Sequence, residues 1–280
     1  GRWYGTYGTA ACPVCQPEGR KRQNALTVTD GRDGRPKVHC KKSDCDFRAI
    51  FAATGMAVGK FTPPDPITVA KREAARCAEA ARKAQQAKRL VSESFPIVGT
   101  PGQRYLRRRG IDRLPSTLLY HPGARHGPTG QHLPAMIGLV EGGASFAVHR
   151  TFLCADGSGK ADIVPAKAML GAVAGGAVRL SLGGWRLVVG EGIESTLSLL
   201  CGFLDGPVSA WAALSTSGLR GLRLPPRPGR LTVACDGDAS GRAAARALAE
   251  RAHARGWTVD ILDPGTGRDW NDVLQERGLA

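Results

Sequence analysis

Apolar residues change their spacing along this chain, and the changes mark its elements. Leu231 to Cys235 is an unbroken apolar and β-branched run that predicts a buried strand, and from Ala243 to Ala252 small and apolar residues recur at helical spacing. Between them stand Asp236 and Asp238, at the point where strand hands over to helix. The same succession occurs twice more. Leu187 to Val189 predict a short strand, Gly190 to Gly192 a tight turn around Glu191, and Glu194 to Leu200 the opening of a helix. Val259 to Leu262 predict another strand, after which a Gly-rich loop carries Asp269 and Asp272 into a helix.

Upstream the pattern is different. Short apolar runs separated by glycine, PAMIGLV, FAVHRTFL and AVRLSL, predict strands between Leu133 and Leu182. Gly102 to Ile111 predicts a helix that turns Tyr105 and Leu106 toward a core. From Ile67 to about Ser94 the chain is Ala, Lys, Arg, Glu and Gln with almost no breakers, a helix by propensity with a weak alanine stripe. The prolines of Lys60 to Pro66 predict a semi-rigid linker before it, and LTVTDGRDGRPKVHC predicts short strands around Gly and Asp turns.

Composition bounds what these elements do. The 280 residues suffice for one sizeable core with small appended modules, or for two domains. Lys and Arg number 39 against 24 acids, and the resulting charge of +15 suits a polyanionic partner such as a nucleic acid. No run approaches the roughly 18 apolar residues of a membrane span, and no basic-then-apolar signal segment opens the sequence. A cytoplasmic protein with no membrane partner is expected.

In a reducing compartment, clustered cysteines read as metal ligands rather than disulfides. Cys12 and Cys15 are spaced so that one tight turn offers both thiolates to a zinc ion, and Cys40 and Cys45 supply a second pair. The wider second spacing leaves His39 as an alternative ligand. Such a closed site replaces the hydrophobic core that residues 1–56 are too few to build. Arg32, Arg35, Lys37, Lys41 and Lys42 in this module suit single-stranded nucleic acid, or form a solvated surface.

An Asp-x-Asp pair at the carboxyl end of a strand holds a divalent cation, or caps a helix. Three strand ends bearing acids favour the cation, and Asn271 either orients an acid or caps its helix. DGSGKA, at 156–161, lacks the first glycine and the final Ser or Thr of a P-loop and reads as a hairpin turn. Arg150, Lys160 and Lys167 would bind a triphosphate or template if they share a face with the carboxylates. Arg104, Arg107, Arg108 and Arg109 are the corresponding candidates for nucleic-acid phosphates.

Three motifs in this order, EGIES at 191–195, DGDASG at 236–241 and DWND at 269–272, resemble the Toprim family, shared by bacterial primases, topoisomerases and certain nucleases. Upstream, YLRRRGI, LLYHPG and HRTFLCADGSGKADIVPAKAMLG resemble the basic region of phage- and plasmid-associated primases. The resemblance implies an α/β fold in four parts. These are a zinc ribbon over 1–56, a linker and helical connector over 57–97, a mixed α+β basic region over 98–184 and a Toprim catalytic domain over 185–280.

It further implies a DNA primase that makes RNA primers on single-stranded DNA from ribonucleoside triphosphates. Asp236, Asp238, Asp269 and Asp272 would hold magnesium or manganese, and Glu191 would face the metal or accept a proton. One departure concerns Ser195, which stands where replicative primases carry Asp, so that Glu194 is the nearest acid. A Toprim nuclease, a topoisomerase fragment and a non-catalytic zinc and DNA-binding module are the alternatives. With no P-loop in this sequence, a helicase would come from another region or another protein.

Overall fold

The computed structural model describes residues 1–3, 7–19, 24–31, 35–55 and 65–278. Arg32 and most of the expected linker at Lys60 to Pro66 lie outside the described residues. The chain divides into two compact units, Gly1–Glu79 and Ala80–Ala280.

The first unit carries an antiparallel sheet of β1 (Arg2–Trp3), β2 (Tyr7–Ala10), β3 (Leu26–Asp30) and β4 (Pro36–Cys40), in that order. A short helix, α1 (Phe47–Ala53), follows, its first turn closed by the Asp46 carboxylate, which accepts from the amides of Arg48 at 2.8 Å and Ala49 at 3.2 Å. The buried set here is small, Cys12, Ala25, Leu26, Cys40 and Ile50, so two of its five members are cysteines. A core of that size needs a further cross-link to hold a fold. The long helix α2 (Pro66–Ser92) passes from this unit into the next.

The second unit is built on a ten-stranded sheet. It begins with β5 (Phe95–Pro96), helix α3 (Pro101–Arg108), β6 (Leu118–Arg125), β7 (His132–Glu141), β8 (Ala147–Phe152), β9 (Lys167–Leu170) and β10 (Ala177–Ser181), whose strands pair antiparallel. It continues through β11 (Arg186–Gly190), α4 (Ile193–Leu200), β12 (Ser209–Ala212), α5 (Thr216–Gly221), β13 (Arg230–Ala234), α6 (Ala239–His253), β14 (Thr258–Leu262) and α7 (Trp270–Gly278). Here β12, β11, β13 and β14 run parallel side by side. Because β10 pairs with both β7 and β12, the sheet is continuous across residues 184 and 185.

Alternation along the parallel strands fixes which helix covers which face. Leu187, Val189, Leu231 and Val233 pack against α5 and α6, whereas Val188 and Ala234 pack on the other face with Leu199 of α4 and Trp270 of α7. Each buried Val or Leu among these stabilises the layers by roughly 1.5–3 kcal/mol. Register then aligns the strand ends: Gly190 lies opposite Ala234, and Ala234 opposite Leu262. The loops that leave β11, β13 and β14 therefore emerge together on one edge of the sheet, where open α/β folds bind their ligands.

Candidate active site and cysteine centre

Each acid is placed by a local backbone device. Gly190 sits so close to α4 that a Cβ there would overlap the Thr196 hydroxyl, which is why β11 can turn sharply into Glu191. The Glu191 carbonyl accepts from the amide of Leu214 at 2.6 Å, and the Glu191 carboxylate accepts from the amide of Thr216 at the start of α5. Leu214 makes that contact at φ 72°, a left-handed conformation that strains a residue with a Cβ and recurs at functional sites.

After β13, Gly237 separates the two aspartates. Its amide donates to the Arg268 carbonyl at 2.8 Å and its own carbonyl accepts from Gly267 at 2.9 Å; a Cβ at this position would overlap the Gly265 carbonyl. The loop from β14 is thereby stapled onto the Asp236–Asp238 turn and brings Asp269 beside it. Asp238 caps α6, accepting from the Gly241 amide at 2.6 Å and the Ser240 hydroxyl at 2.9 Å. Asp269 caps α7, accepting from the amides of Asn271 at 2.7 Å and Asp272 at 2.9 Å.

Electrostatics show which acids share a space. Burial pushes the Glu191 carboxyl up to about 7, with the charges of Asp236 and Asp238 adding to the shift and Lys167 opposing it. Burial likewise pushes Asp236 up to about 6, reinforced by Asp269 and Asp238 and opposed by the Ser195 hydroxyl and Lys167. Asp236 and Asp238 thus act on Glu191, and Asp238 and Asp269 act on Asp236. Asp236 Oδ1 is buried without a hydrogen-bond partner, an arrangement that costs about 1–3 kcal/mol when nothing satisfies it.

Asp272 is placed differently from the other four. Exposed like Asp238, it differs in that its Oδ2 accepts from the Asp269 amide at 2.8 Å, which completes a reciprocal capping box around the start of α7. Its structural part is to hold Asp269.

The basic candidates also separate. Lys167 and Thr151 are cross-strand partners, so Lys167 stands on the β8–β9 face that carries His149 and Met169. There its ammonium donates to Glu194 Oε2 at 2.7 Å, while the Tyr105 hydroxyl donates to Glu194 Oε1 at 2.8 Å. Burial would raise the Glu194 carboxyl, but the charge and hydrogen bond of Lys167 outweigh it and hold the group down to about 2. Lys160 joins this group, its ammonium lowered by partial desolvation and by the charge of Lys167, with Glu194 and Asp269 opposing. His149 is buried with Nδ1 unpartnered, and burial and Lys167 push it down to about 4, so it is neutral at physiological pH.

Arg150 points the other way. One residue out of phase with Lys167's partner, it lies over Phe152 on the opposite face and donates to the carbonyls of Arg125 at 2.8 Å and Met169 at 3.2 Å. It is not gathered with the carboxylates, because a strand alternates its faces at every residue.

On α3, Arg107 and Arg108 are exposed, and Arg104, also exposed, donates to the Asp156 carbonyl at 2.8 Å. Arg109 is half-buried over the Tyr105 ring, and its carbonyl accepts from the buried Asn271 side chain at 2.7 Å. It ties α3 to α7 rather than standing free in solvent.

In the first unit the sulfurs of Cys12, Cys15, Cys40 and Cys45 all lie within 4.8 Å of one another, and Cys15 and Cys40 approach to 3.5 Å. A tetrahedral zinc site with bonds of about 2.3 Å separates its sulfurs by about 3.8 Å, so the quartet fits the ion. The Cys40 sulfur also meets the amides of Cys45, Ser43 and Lys42, which outweigh burial and hold its thiol down to about 6. His39 stays outside the quartet, exposed, with Nδ1 at 3.6 Å from Asp44. Among the described residues no other group of three or more His, Cys, Asp or Glu converges this closely, the strand-end carboxylates included.

Ser195, Thr216, Leu214 and Tyr105 belong to the acidic site without having been singled out for it by residue type. Ser195 alone left a trace in the sequence, as the hydroxyl in the position where an acid was expected.

Residues 186–280 match the family model described as a Toprim domain, and residues 81–180 match a domain of unknown function, DUF7146. The sheet of the second unit is thus an α/β architecture with a Toprim-like domain at its parallel end, accompanied in the first unit by a four-cysteine cluster that suits zinc. Among curated proteins, none matches this sequence.

Solved structures similar to the chain include a DNA primase domain from Pseudomonas aeruginosa, at 16% identity and a TM-score of 0.44 over 69% of this chain and 74% of that one. The zinc-binding and RNA polymerase domains of the Aquifex aeolicus primase give 14% identity and 0.43, over 99% of this chain and 77% of that one. The primase fragment of the bacteriophage T7 primase-helicase gives 11% and 0.37, over 96% and 94%. At these values they are likenesses only, and no residue role passes from them to this chain.

Proposed function

We propose that this chain is a DNA primase that makes short RNA primers on single-stranded DNA by metal-dependent nucleotidyl transfer. The observation that carries this reading is the gathering of Glu191, Asp236, Asp238 and Asp269 where neighbouring parallel strands end, with Lys160 and Lys167 within their electrostatic reach. Hard oxygen donors set close together, with neighbouring carboxylates adding to the burial that raises Glu191 and Asp236 and one Asp236 oxygen buried without a partner, suit a divalent cation. Magnesium or manganese, held by Asp236, Asp238 and Asp269, would lower the cost of forming the attacking alkoxide and offset charge on the phosphoryl oxygens.

The chain's own groups supply the rest. Glu191, fixed by the Thr216 amide, accepts the proton of the primer 3′-hydroxyl as that oxygen bonds to the α-phosphorus of a ribonucleoside triphosphate. The bond from the α-phosphorus to its bridging oxygen breaks, and pyrophosphate leaves. Lys160 and Lys167 face the phosphates, and Asp272 keeps Asp269 in place through the α7 cap. Arg104, Arg107 and Arg108 hold template phosphates, with the zinc-bound cysteine unit and its Lys37, Lys41 and Lys42 as a second contact.

A topoisomerase needs an accessible tyrosine. In the unit that carries the acidic site Tyr105 and Tyr120 are buried, and the Tyr105 hydroxyl donates to Glu194; the exposed Tyr7 belongs to the first unit. Primase activity is tested by incubating the chain with single-stranded DNA, labelled ribonucleoside triphosphates and magnesium or manganese. Short labelled products dependent on template are expected. DNA cleavage without synthesis would assign the site to a nuclease instead.

A further inference from the structure

On the sheet face turned away from Lys167 and Glu194, α2 and strands β6 to β9 line a half-open cavity of about 420 Å³. Arg89, Glu93, His121, Arg125 and Arg150 line it, with Leu90 and Leu170 as its apolar wall. Arg150 is only 9% exposed, yet it meets no carboxylate. Its two terminal nitrogens reach backbone carbonyls, and its Nε is buried without a partner.

The neighbouring charges do not neutralise it. Arg125 is close enough to add to the burial that lowers the Arg150 guanidinium. Glu93, the acid in the wall, is already engaged by Arg89 at 2.8 Å and lies 3.7 Å from His121. A buried guanidinium with a second one beside it is costly unless an anion completes the arrangement, and guanidinium groups match the oxygens of phosphate. The volume lies in the range of small-molecule sites.

We infer that this cavity binds a small phosphorylated molecule of nucleotide size, its phosphate seated between Arg125 and Arg150 and its remainder against Leu90 and Leu170. The site is separate from the strand-end carboxylates and does not depend on the primase reading. The shared ligand chemistry is the phosphate, whether carried by a nucleoside or free.

Calorimetric titration of the full chain with inorganic pyrophosphate, and separately with adenosine monophosphate, tests it at constant ionic strength. Saturable binding of at least one is expected, at least roughly tenfold weaker in Arg125→Ala. Arg255→Ala, which removes the same charge from another exposed position, and Asp236→Asn with Asp238→Asn should leave it intact. Tighter binding of the monophosphate would assign the apolar wall to a nucleoside, and equal binding would assign the site to phosphate alone. Absence of saturable binding, equal affinity in Arg125→Ala, or loss in the double aspartate variant would overturn the inference.

Discussion

The ammonium of Lys167 donates to the carboxylate of Glu194 across 2.7 Å and so links strand β9 to the first turn of helix α4. Glu194 is almost fully buried, with the Tyr105 hydroxyl on its other oxygen. This ion pair joins the antiparallel half of the sheet to the half that carries the acidic site.

Breaking the pair in Lys167→Met leaves Glu194 buried without its counter-charge. Unfolding by urea at pH 7 should then show a loss of roughly 2–4 kcal/mol, less than for a wholly buried pair because Lys167 is partly exposed. In the native chain the Glu194 carboxyl is held down to about 2, so its stabilising contribution is present above the ordinary carboxylate range and is lost as pH falls toward 2. In the variant, burial raises this pKa, and the native state takes up a proton more readily than the unfolded one. The deficit of the variant should therefore shrink between pH 7 and pH 4. A deficit constant over that range would show that Lys167 acts through packing alone.

Cys12→Ala and Cys40→Ala should each reduce bound zinc, measured by elemental analysis, and loosen the first unit, whose apolar core is too small to persist without the ion. The circular dichroism and unfolding transition of residues 80–280 should persist, since that unit has its own cores. Native protein that neither contains nor takes up zinc would contradict this.

Arg107 and Arg108 stand in solvent, and their joint replacement by alanine should weaken binding of single-stranded DNA and flatten its salt dependence. On single strands, each phosphate that the protein no longer neutralises reduces the slope of log K against log salt by about 0.7. A fluorescence titration at several salt concentrations reads both quantities. An unchanged slope would place these arginines away from the template.

Much of the parallel end of the sheet was legible because β11 and β13 are buried on both faces and read as continuous apolar or β-branched runs, at 187–189 and 231–235, whereas β14, an edge strand with Asp260 inside it, showed only Val259, Ile261 and Leu262. The acids that end them were legible for the same reason, as breaks in those runs. Strand β6 was not, because Pro122 and Gly123 interrupt its pattern at a register shift between His121 and Ala124. Nor was the orientation of Arg150: which face a residue takes depends on its partner strand, which composition does not reveal. The separate part of Asp272 is a matter of which amide a carboxylate meets in one helical turn. The strained Leu214 had no signal in its residue type at all.

We propose that Asp236 and Asp238 stand together because a catalytic cation lies between the strand end and the reacting phosphates. The most direct measurement is primer synthesis by the Asp236→Asn, Asp238→Asn double variant, at saturating template and triphosphates, in magnesium and again in manganese. A fall of at least roughly 10²-fold is expected in both metals, with template binding and the folded spectrum retained. Synthesis near the native level in either metal would remove these carboxylates from the catalytic centre.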